Sequence, residues 1–515
     1  MLATVLSATL QGLEGRVVRV EVDVASGLPS FTIVGLPDAA LAEARERVRG
    51  AIRNSGFEFP PRRLTANLAP ADVPKAGAAL DLPIAIGILL ASGQIRAAER
   101  WAFVGELSLG GEIHRVRGTL PMVAALARHG ARRIVVAAEA ADEGRLVPGV
   151  TIVPAATLGE AAALVDGRRR RRAPADRVDL VPAPPAPASV GTGEAEVPDL
   201  ADVRGQLEAR RALEIALAGG HALLLVGPPG AGKTLLARTV PGLLPPLGPE
   251  EALAATIVES VASDGPVRRL LTRRPFRAPH HTSSYAAIVG GGKGLSPGEV
   301  TRASEGVLFL DELAEFGRAV LEALREPLEE GRITIGRAGR SATFPARFQL
   351  IAATNPCPCG WAGTETPGCS CRPGLPERYL ARISGPLRDR IDLWVEMPAV
   401  RPAELLLGGP PEDSATVAGR IAAARSRQLG ARGVLNGRLA GRALRAACRL
   451  DQAARERIVE LAVLEGASAR GVERLLRVAR TIADLASSER VTAHHLEEAA
   501  RFRGRTRRPS LAAVV

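Results

Sequence analysis

Two stretches of this sequence put phosphate-handling and acid–base groups directly after apolar runs. Leu223-Leu224-Leu225-Val226 leads into Gly227-Pro228-Pro229-Gly230-Ala231-Gly232-Lys233-Thr234, and a helical pattern, Leu235 to Val240, follows until Pro241. This is G-x-x-x-x-G-K-T between a strand and a helix, the setting in which backbone N–H groups converge on nucleotide phosphates. The unbroken apolar run suits a strand buried on both faces. Lys233 is expected to reach the β and γ phosphates of ATP, and the Thr234 hydroxyl to ligate Mg²⁺, with residues 227–234 as the cradle.

The second stretch, Val307-Leu308-Phe309-Leu310, ends in Asp311-Glu312, 78 residues beyond Lys233. A buried strand ending in two carboxylates fits a Mg²⁺-holding Asp311 and a Glu312 that orients and activates the attacking water. A third run, Gln349 to Ala353, ends in Thr354-Asn355. Asn355 could hold that water near the γ-phosphate, or merely cap the turn before Pro356. Three polar strand ends of this kind fit the rule that open α/β sheets bind ligands at their carboxyl edge. Further on, Arg390 and Arg470 could meet developing phosphoryl charge, although their spacing alone fits surface residues equally.

Four of the five cysteines, Cys357, Cys359, Cys369 and Cys371, fall within 15 residues. Four thiolates in a Pro- and Gly-containing loop fit a tetrahedral structural Zn²⁺ site; a reduced, metal-free loop is the alternative. Cys448 reads as a small buried apolar residue. His280-His281 have no further ligands at metal spacing and read as hydrogen-bonding groups of their own segment.

These residues need elements to hold them. At about 150 residues per domain, 515 residues suggest three domains. Residues 1–166 mix strands (Val17–Val24, Ser30–Val34) with helices (Asp38–Asn54, Leu120–His129) and read as an α/β domain. Residues 167–198 are an arginine run and a Pro/Ala stretch, the composition of a linker. Residues 199–398 alternate apolar strands with helices, and residues 399–515 read as helical with a basic tail. The net charge of +12 resides mostly in Arg168–Arg172 and in Arg501, Arg503, Arg505, Arg507 and Arg508; the remainder is close to neutral. Such arms suit a polyanion held by its phosphates, or simply a solvated surface. With aromatic residues at 3%, a base-stacking platform is excluded. Only Lys75, Lys233 and Lys293 are lysine among 67 basic residues, which marks places where a compact ammonium is wanted. The most apolar run, Leu82–Ala91, is too short for a membrane span and contains Pro83. With no basic residue before Arg16 and no disulfide-rich composition, a cytoplasmic protein without membrane association is expected.

Taken together, GPPGAGKT (227–234), RPFRAPHHTSSYAAIVGGGKG (274–294), VLFLDELAEF (307–316), LIAATNPCPCG (350–360) and RISGPLRDRIDLWVE (382–396) resemble the magnesium-chelatase-like AAA+ ATPases, in their competence-protein branch. The resemblance extends to residues 26–56 and 68–89 and so covers nearly the whole chain. It implies an α/β fold: an AAA+ P-loop core with a helical lid, preceded by an α/β domain like the Lon peptidase domain. It also implies a homo-hexameric ring with ATP at subunit interfaces. Arg390 then matches the arginine finger, Arg470 the sensor-2 arginine of the lid, and Asn355 sensor 1. The insert around 277–294 and a hairpin from Ile333 to Phe344 match extra hairpins whose tips face a pore, making Lys293, Arg337 and Arg340 candidates for gripping DNA. Lon-type proteolysis needs a Ser–Lys dyad. The corresponding positions here fall at Ala79 and near Leu120, so no protease is expected. The implied function is an ATP-driven motor on single-stranded and branched DNA, with helicase and branch-migration activity, serving DNA integration in natural transformation. Competing readings are a chelatase-type ATPase subunit for metal insertion and a nucleotide-gated assembly scaffold.

Overall fold

The computed structural model describes residues 1–35, 39–71, 75, 78–97, 100–166, 197–263, 265–292, 295–337, 340–365, 367–400, 411–464 and 468–503. The expected linker up to residue 196, the tail beyond Arg503, and Lys293 lie outside them.

In the N-terminal part, Val18, Val20, Val22 and Val24 alternate with polar residues and are all buried, as the period of a half-buried strand requires. They lie on β2 (Glu14–Ala25), which forms a long hairpin with β1 (Leu2–Gln11), in register from Leu2 opposite Asp23 to Gln11 opposite Glu14. With β3 (Ser30–Val34), β4 (Arg63–Ala69), β5 (Ala102–Val104), β8 (Arg133–Ala137) and β9 (Thr151–Ala155) they build a seven-stranded mixed sheet ordered β3-β4-β2-β1-β5-β8-β9. A small hairpin, β6 (Glu106–Leu107) and β7 (Ile113–His114), sits beside it. Helices Ala39–Asn54 and Asp81–Ala91 cover one face and Thr119–Arg128 the other; the first and last lie within a residue or two of the spans read from sequence, and the second is the apolar run from Leu82 to Ala91. Ala79 and Leu120 are both buried among apolar neighbours of this part.

The second sheet positions the chemistry. It is five-stranded and wholly parallel, ordered β11-β14-β17-β10-β18, with β10 Leu223–Val226, β11 Phe276–Arg277, β14 Val307–Leu310, β17 Gln349–Thr354 and β18 Leu393–Glu396. Successive side chains go to opposite layers. Leu223, Leu225, Phe309, Ile351, Ala353 and Val395 join helices Leu207–Gly219, Ser414–Arg432 and Ala469–Leu485. Leu224, Val226, Leu308, Leu310, Leu350 and Ala352 join Leu321, Leu324, Ile333 and Phe344. Burial on both faces explains the unbroken apolar runs. Two small ribbons complete the strands: β12 (Gly290–Gly291) with β13 (Ser296–Pro297), and β15 (Arg332–Arg337) with β16 (Arg340–Pro345).

The helical C-terminal part is pinned to this sheet by a buried polar network. His221, just before β10, lies 3.1 Å from Asp392, just before β18, and 2.7 Å from Thr481 on the helix Ala469–Leu485. Arg477 of that helix donates to the other Asp392 oxygen at 3.0 Å. Burial alone would raise the Asp392 pKa, but the His221 hydrogen bond and the nearby Arg477 charge hold it below the ordinary carboxylate range. The N-terminal part rests on the second sheet's surroundings at two places. Glu143 accepts from Ser260 at 2.5 Å while Leu253 and Ile257 of the helix Pro249–Ala262 pack onto the apolar layer around Leu120. At the turn of the β1–β2 hairpin, Leu13 packs into the layer containing Ile333 and Phe344 of the β15–β16 ribbon.

Candidate nucleotide site

Residues 227–234 connect β10 to the helix Lys233–Arg238. Gly227 is packed closely: a side chain there would meet the Met397 carbonyl at 2.3 Å. Gly230 and Gly232 differ. Both have left-handed φ, +78° and +87°, and a Cβ on either would meet nothing within 4 Å. The loop is therefore tight against the sheet at its start and open around its later amides, which is the shape of a phosphate cradle. Ala231 is buried beneath it, and Pro228 and Pro229 fix the turn.

Lys233 is buried, and its ammonium donates to the carbonyls of Gly227 (2.6 Å) and Pro228 (2.8 Å) and to Asn355 Oδ1 (3.1 Å). Burial pushes its pKa down, against the charges of Asp311 and Glu312. A desolvated cation held only by neutral oxygens fits the place of an anionic phosphate. The Thr234 hydroxyl donates to Asp311 Oδ2 at 2.7 Å, so the two residues expected to share Mg²⁺ already meet. Hard oxygens of hydroxyl and carboxylate are the donor set that ion takes, usually keeping several waters.

Glu312 follows with φ +54°, a left-handed conformation unusual for a non-glycine residue. Its N–H bonds back to Asp311 Oδ1 at 2.9 Å. Its carboxylate lies 2.9 Å from His281 Nδ1, and the His281 ring lies tilted against His280 with centroids 4.2 Å apart and stands edge-on to Phe316. Sequence reasoning gave His281 no part in this site. The one signal was a His-His pair in a segment conspicuous for its chelatase-like motif; its contact with a residue 31 positions later is a tertiary fact.

Arg390 and Arg470 do not join this group. Both line a cleft of about 630 Å³ at the other edge of the sheet, beside Ala222, Gln349 and Asp392, where β10, β17 and β18 begin. A four-residue strand separates that edge from the phosphate loop by about 13 Å. Arg347, Arg438 and Arg477 line the same cleft. Arg390 is paired with Glu329 and donates to the Pro386 carbonyl at 2.5 Å; Glu329 carried no signal in the sequence. A lid arginine reaching over its own chain's loop is thus not the arrangement present. The reason is the packing of the helix Ala469–Leu485, locked to the strand starts through Thr481 and Arg477.

Of the residues read as DNA contacts, Arg337 and Arg340 face each other as the last pair of the β15–β16 ribbon; their side chains lie outside the described positions. The ribbon is the hairpin read from sequence, with Ile333 and Ile335 buried at its root.

Beside Asn355 the four cysteines come together. Cys357 Sγ lies 3.3 Å from Cys359 Sγ and 3.8 Å from Cys369 Sγ, Cys359 and Cys369 are 3.6 Å apart, and all four sulfurs lie within 4.8 Å of one another. All are free thiols. Cys448 is buried elsewhere, and burial pushes its thiol up to about 12.

With a phosphate-type loop, paired strand-end carboxylates and a polar strand end on a parallel sheet, the site is that of a P-loop protein. Residues 199–405 match the family described as magnesium chelatase, subunit ChlI; residues 20–140 match subunit ChlI of Mg-chelatase, and 411–503 its C-terminal part. The chain belongs to this magnesium-chelatase family. Within it, the chain is 43% identical over 506 residues to YifB of Salmonella typhimurium, covering 98% of this chain and 97% of that one. YifB of Escherichia coli is also 43% identical, over 498 residues and 96% and 95% of the two chains. Competence protein ComM of Haemophilus influenzae is 41% identical over 510 residues, 98% of each. Among the described residues no helix is long and apolar enough to cross a membrane.

Proposed function

We propose that this protein is a Mg²⁺-dependent ATPase that hydrolyses ATP at the seam between copies of itself and uses the cycle to move DNA. The observation that carries the reading is the division of charged groups between two edges of one sheet. Lys233, Thr234, Asp311, Glu312 and Asn355 gather at the carboxyl edge, whereas Arg390 and Arg470 gather at the other. The carboxyl edge has the water-activating carboxylate and one cation, Lys233, but no arginine for the charge that develops as the γ-phosphoryl group leaves, and the arginine edge has no phosphate loop. Two copies placed edge to edge would have both, and a closed ring, six-membered by family resemblance, repeats that seam without ends.

In such a seam the loop amides and Lys233 bind the phosphates, and Thr234 and Asp311 hold Mg²⁺. The ion, when bound, neutralises charge on the phosphate oxygens. Glu312, aimed by its own backbone and by His281, takes the proton of the attacking water; Asn355 positions that water. Arg390 exchanges Glu329 for the neighbour's γ-phosphate, and Arg470 adds a second cation. An AAA+ reading of sheet and lid follows, with domains 199–398 and 399–515 as core and lid, and 1–166 as an N-terminal domain of the Lon peptidase type without its dyad.

The DNA part rests on the relationship to a competence protein and on the arginines at the β15–β16 turn. Helicase and branch-migration activity on single-stranded and branched substrates is the specific form proposed, in the cytoplasm. The test is ATPase rate with and without such DNA, together with strand displacement. DNA stimulation and displacement support the motor. Turnover that ignores DNA favours the second reading, a chelatase-type ATPase driving metal insertion, which the family matches along the chain recommend.

A further inference from the structure

We infer that Cys357, Cys359, Cys369 and Cys371 hold one Zn²⁺, and that this metal knuckle braces the phosphate loop. Four Zn–S bonds of about 2.3 Å in a tetrahedron set sulfurs about 3.8 Å apart. The observed separations of 3.3, 3.6 and 3.8 Å run up to that value, far from the roughly 2.05 Å of a disulfide. Soft thiolates select zinc over Mg²⁺, so the site does not compete with the oxygen ligands at Asp311. The surroundings are built for it. Ala362 N–H points at Cys357 Sγ from 3.3 Å, the backbone donation that metal-bound sulfur accepts. The Thr364 hydroxyl closes the intervening loop between the Trp361 and Pro367 carbonyls, 2.8 and 2.7 Å away, sharing its single hydrogen between them. On binding, each thiol gives its proton to solvent as its sulfur bonds the metal, and zinc stays divalent.

The knuckle touches the nucleotide site twice. Cys357 is fully buried two residues after Asn355, which holds Lys233. Gly360 lies against Pro229 of the loop: a Cβ on Gly360 would come within 2.6 Å of the Pro229 ring, and its φ is +88°. Fixing Cys357 and Cys359 to one metal therefore fixes what stands behind both Asn355 and Pro229. Without the metal the thiols are joined by nothing stronger than contact, and the backing of the loop loosens.

The bracing rests on the ATP reading; the metal site does not. The full-length protein, purified without chelator, is to be analysed for metals and titrated with a fluorescent ATP analogue. About one zinc per chain is expected, retained in Cys448→Ala and lost in Cys359→Ser/Cys369→Ser. Nucleotide affinity should fall at least roughly tenfold in that double variant and in wild type stripped by a thiol-competitive chelator, and return when zinc is restored. Lys233→Ala should keep its zinc while losing the nucleotide. Absence of zinc in wild type, or equal zinc in the double variant, overturns the site. Loss of zinc with unchanged nucleotide affinity overturns the bracing. Zinc present in a wild type that binds no nucleotide overturns the bracing through the ATP reading and leaves the metal site supported.

Discussion

His281 Nδ1 and the Glu312 carboxylate stand 2.9 Å apart, joining the segment after β11 to the end of β14. The pair gives the carboxylate a fixed aim that its left-handed backbone alone does not supply. His281→Ala should lower kcat by roughly 10- to 100-fold while leaving ATP affinity within a factor of about two, because the imidazole acts through Glu312 and not on the nucleotide. His281→Asn, which keeps a donor, should recover part of the rate. Steady-state ATPase kinetics and analogue binding check both; an equal loss of affinity would make His281 a folding residue only.

Lys233→Ala and Glu312→Gln should separate binding from hydrolysis. The first removes the buried ammonium between Gly227, Pro228 and Asn355 and should abolish nucleotide binding. The second keeps shape and should bind ATP normally, with turnover reduced by about 100-fold or more. ATP-dependent assembly measured by light scattering should survive in Glu312→Gln and fail in Lys233→Ala.

Because Arg390 and Arg470 share one cleft away from the loop, each substitution to alanine should silence ATPase in a homogeneous assembly without weakening binding to the isolated chain. Mixing Arg390→Ala with Lys233→Ala should restore partial turnover, since some seams then pair an intact loop with an intact arginine edge. The check is ATPase rate across mixing ratios, with co-assembly shown by a tag on one partner. No rescue in a proven mixture contradicts the seam.

The strands and their polar ends were legible because each is buried on both faces and so reads as an apolar run broken by chemistry. What the sequence could not disclose is which edge of the sheet receives Arg470. That depends on how the helix Ala469–Leu485 packs, and its anchor is a triad drawn from His221, Asp392 and Thr481. His281 and Glu329 were hidden for the same reason: each acquires its partner only by tertiary placement. The cysteines were the opposite case, since four of them within 15 residues already made a candidate cluster that the fold then closes.

Asp392 itself offers a stability test. Its pKa is lowered on folding, so the stability it contributes is present above the unfolded value near 3.8 and is lost as pH falls through the native one. Asp392→Asn leaves Arg477 without its buried counter-charge and changes the partner of His221, and should cost about 3 kcal/mol near neutrality. Thermal melts from pH 7 down to about pH 2 should show a steady gap between the two proteins above the unfolded value and a narrowing gap below it. A gap that does not narrow at all below that value would mean the carboxylate's charge contributes nothing.

Leu13 shares an apolar bed with Phe344 at the root of the β15–β16 ribbon. A load applied at the ribbon's turn is consequently not borne by the second sheet alone. If the proposed motor pulls on that turn, either the N-terminal hairpin travels with the ribbon, carrying the seven-stranded sheet as ballast, or the greasy seat between them parts at each cycle and the N-terminal half damps the movement.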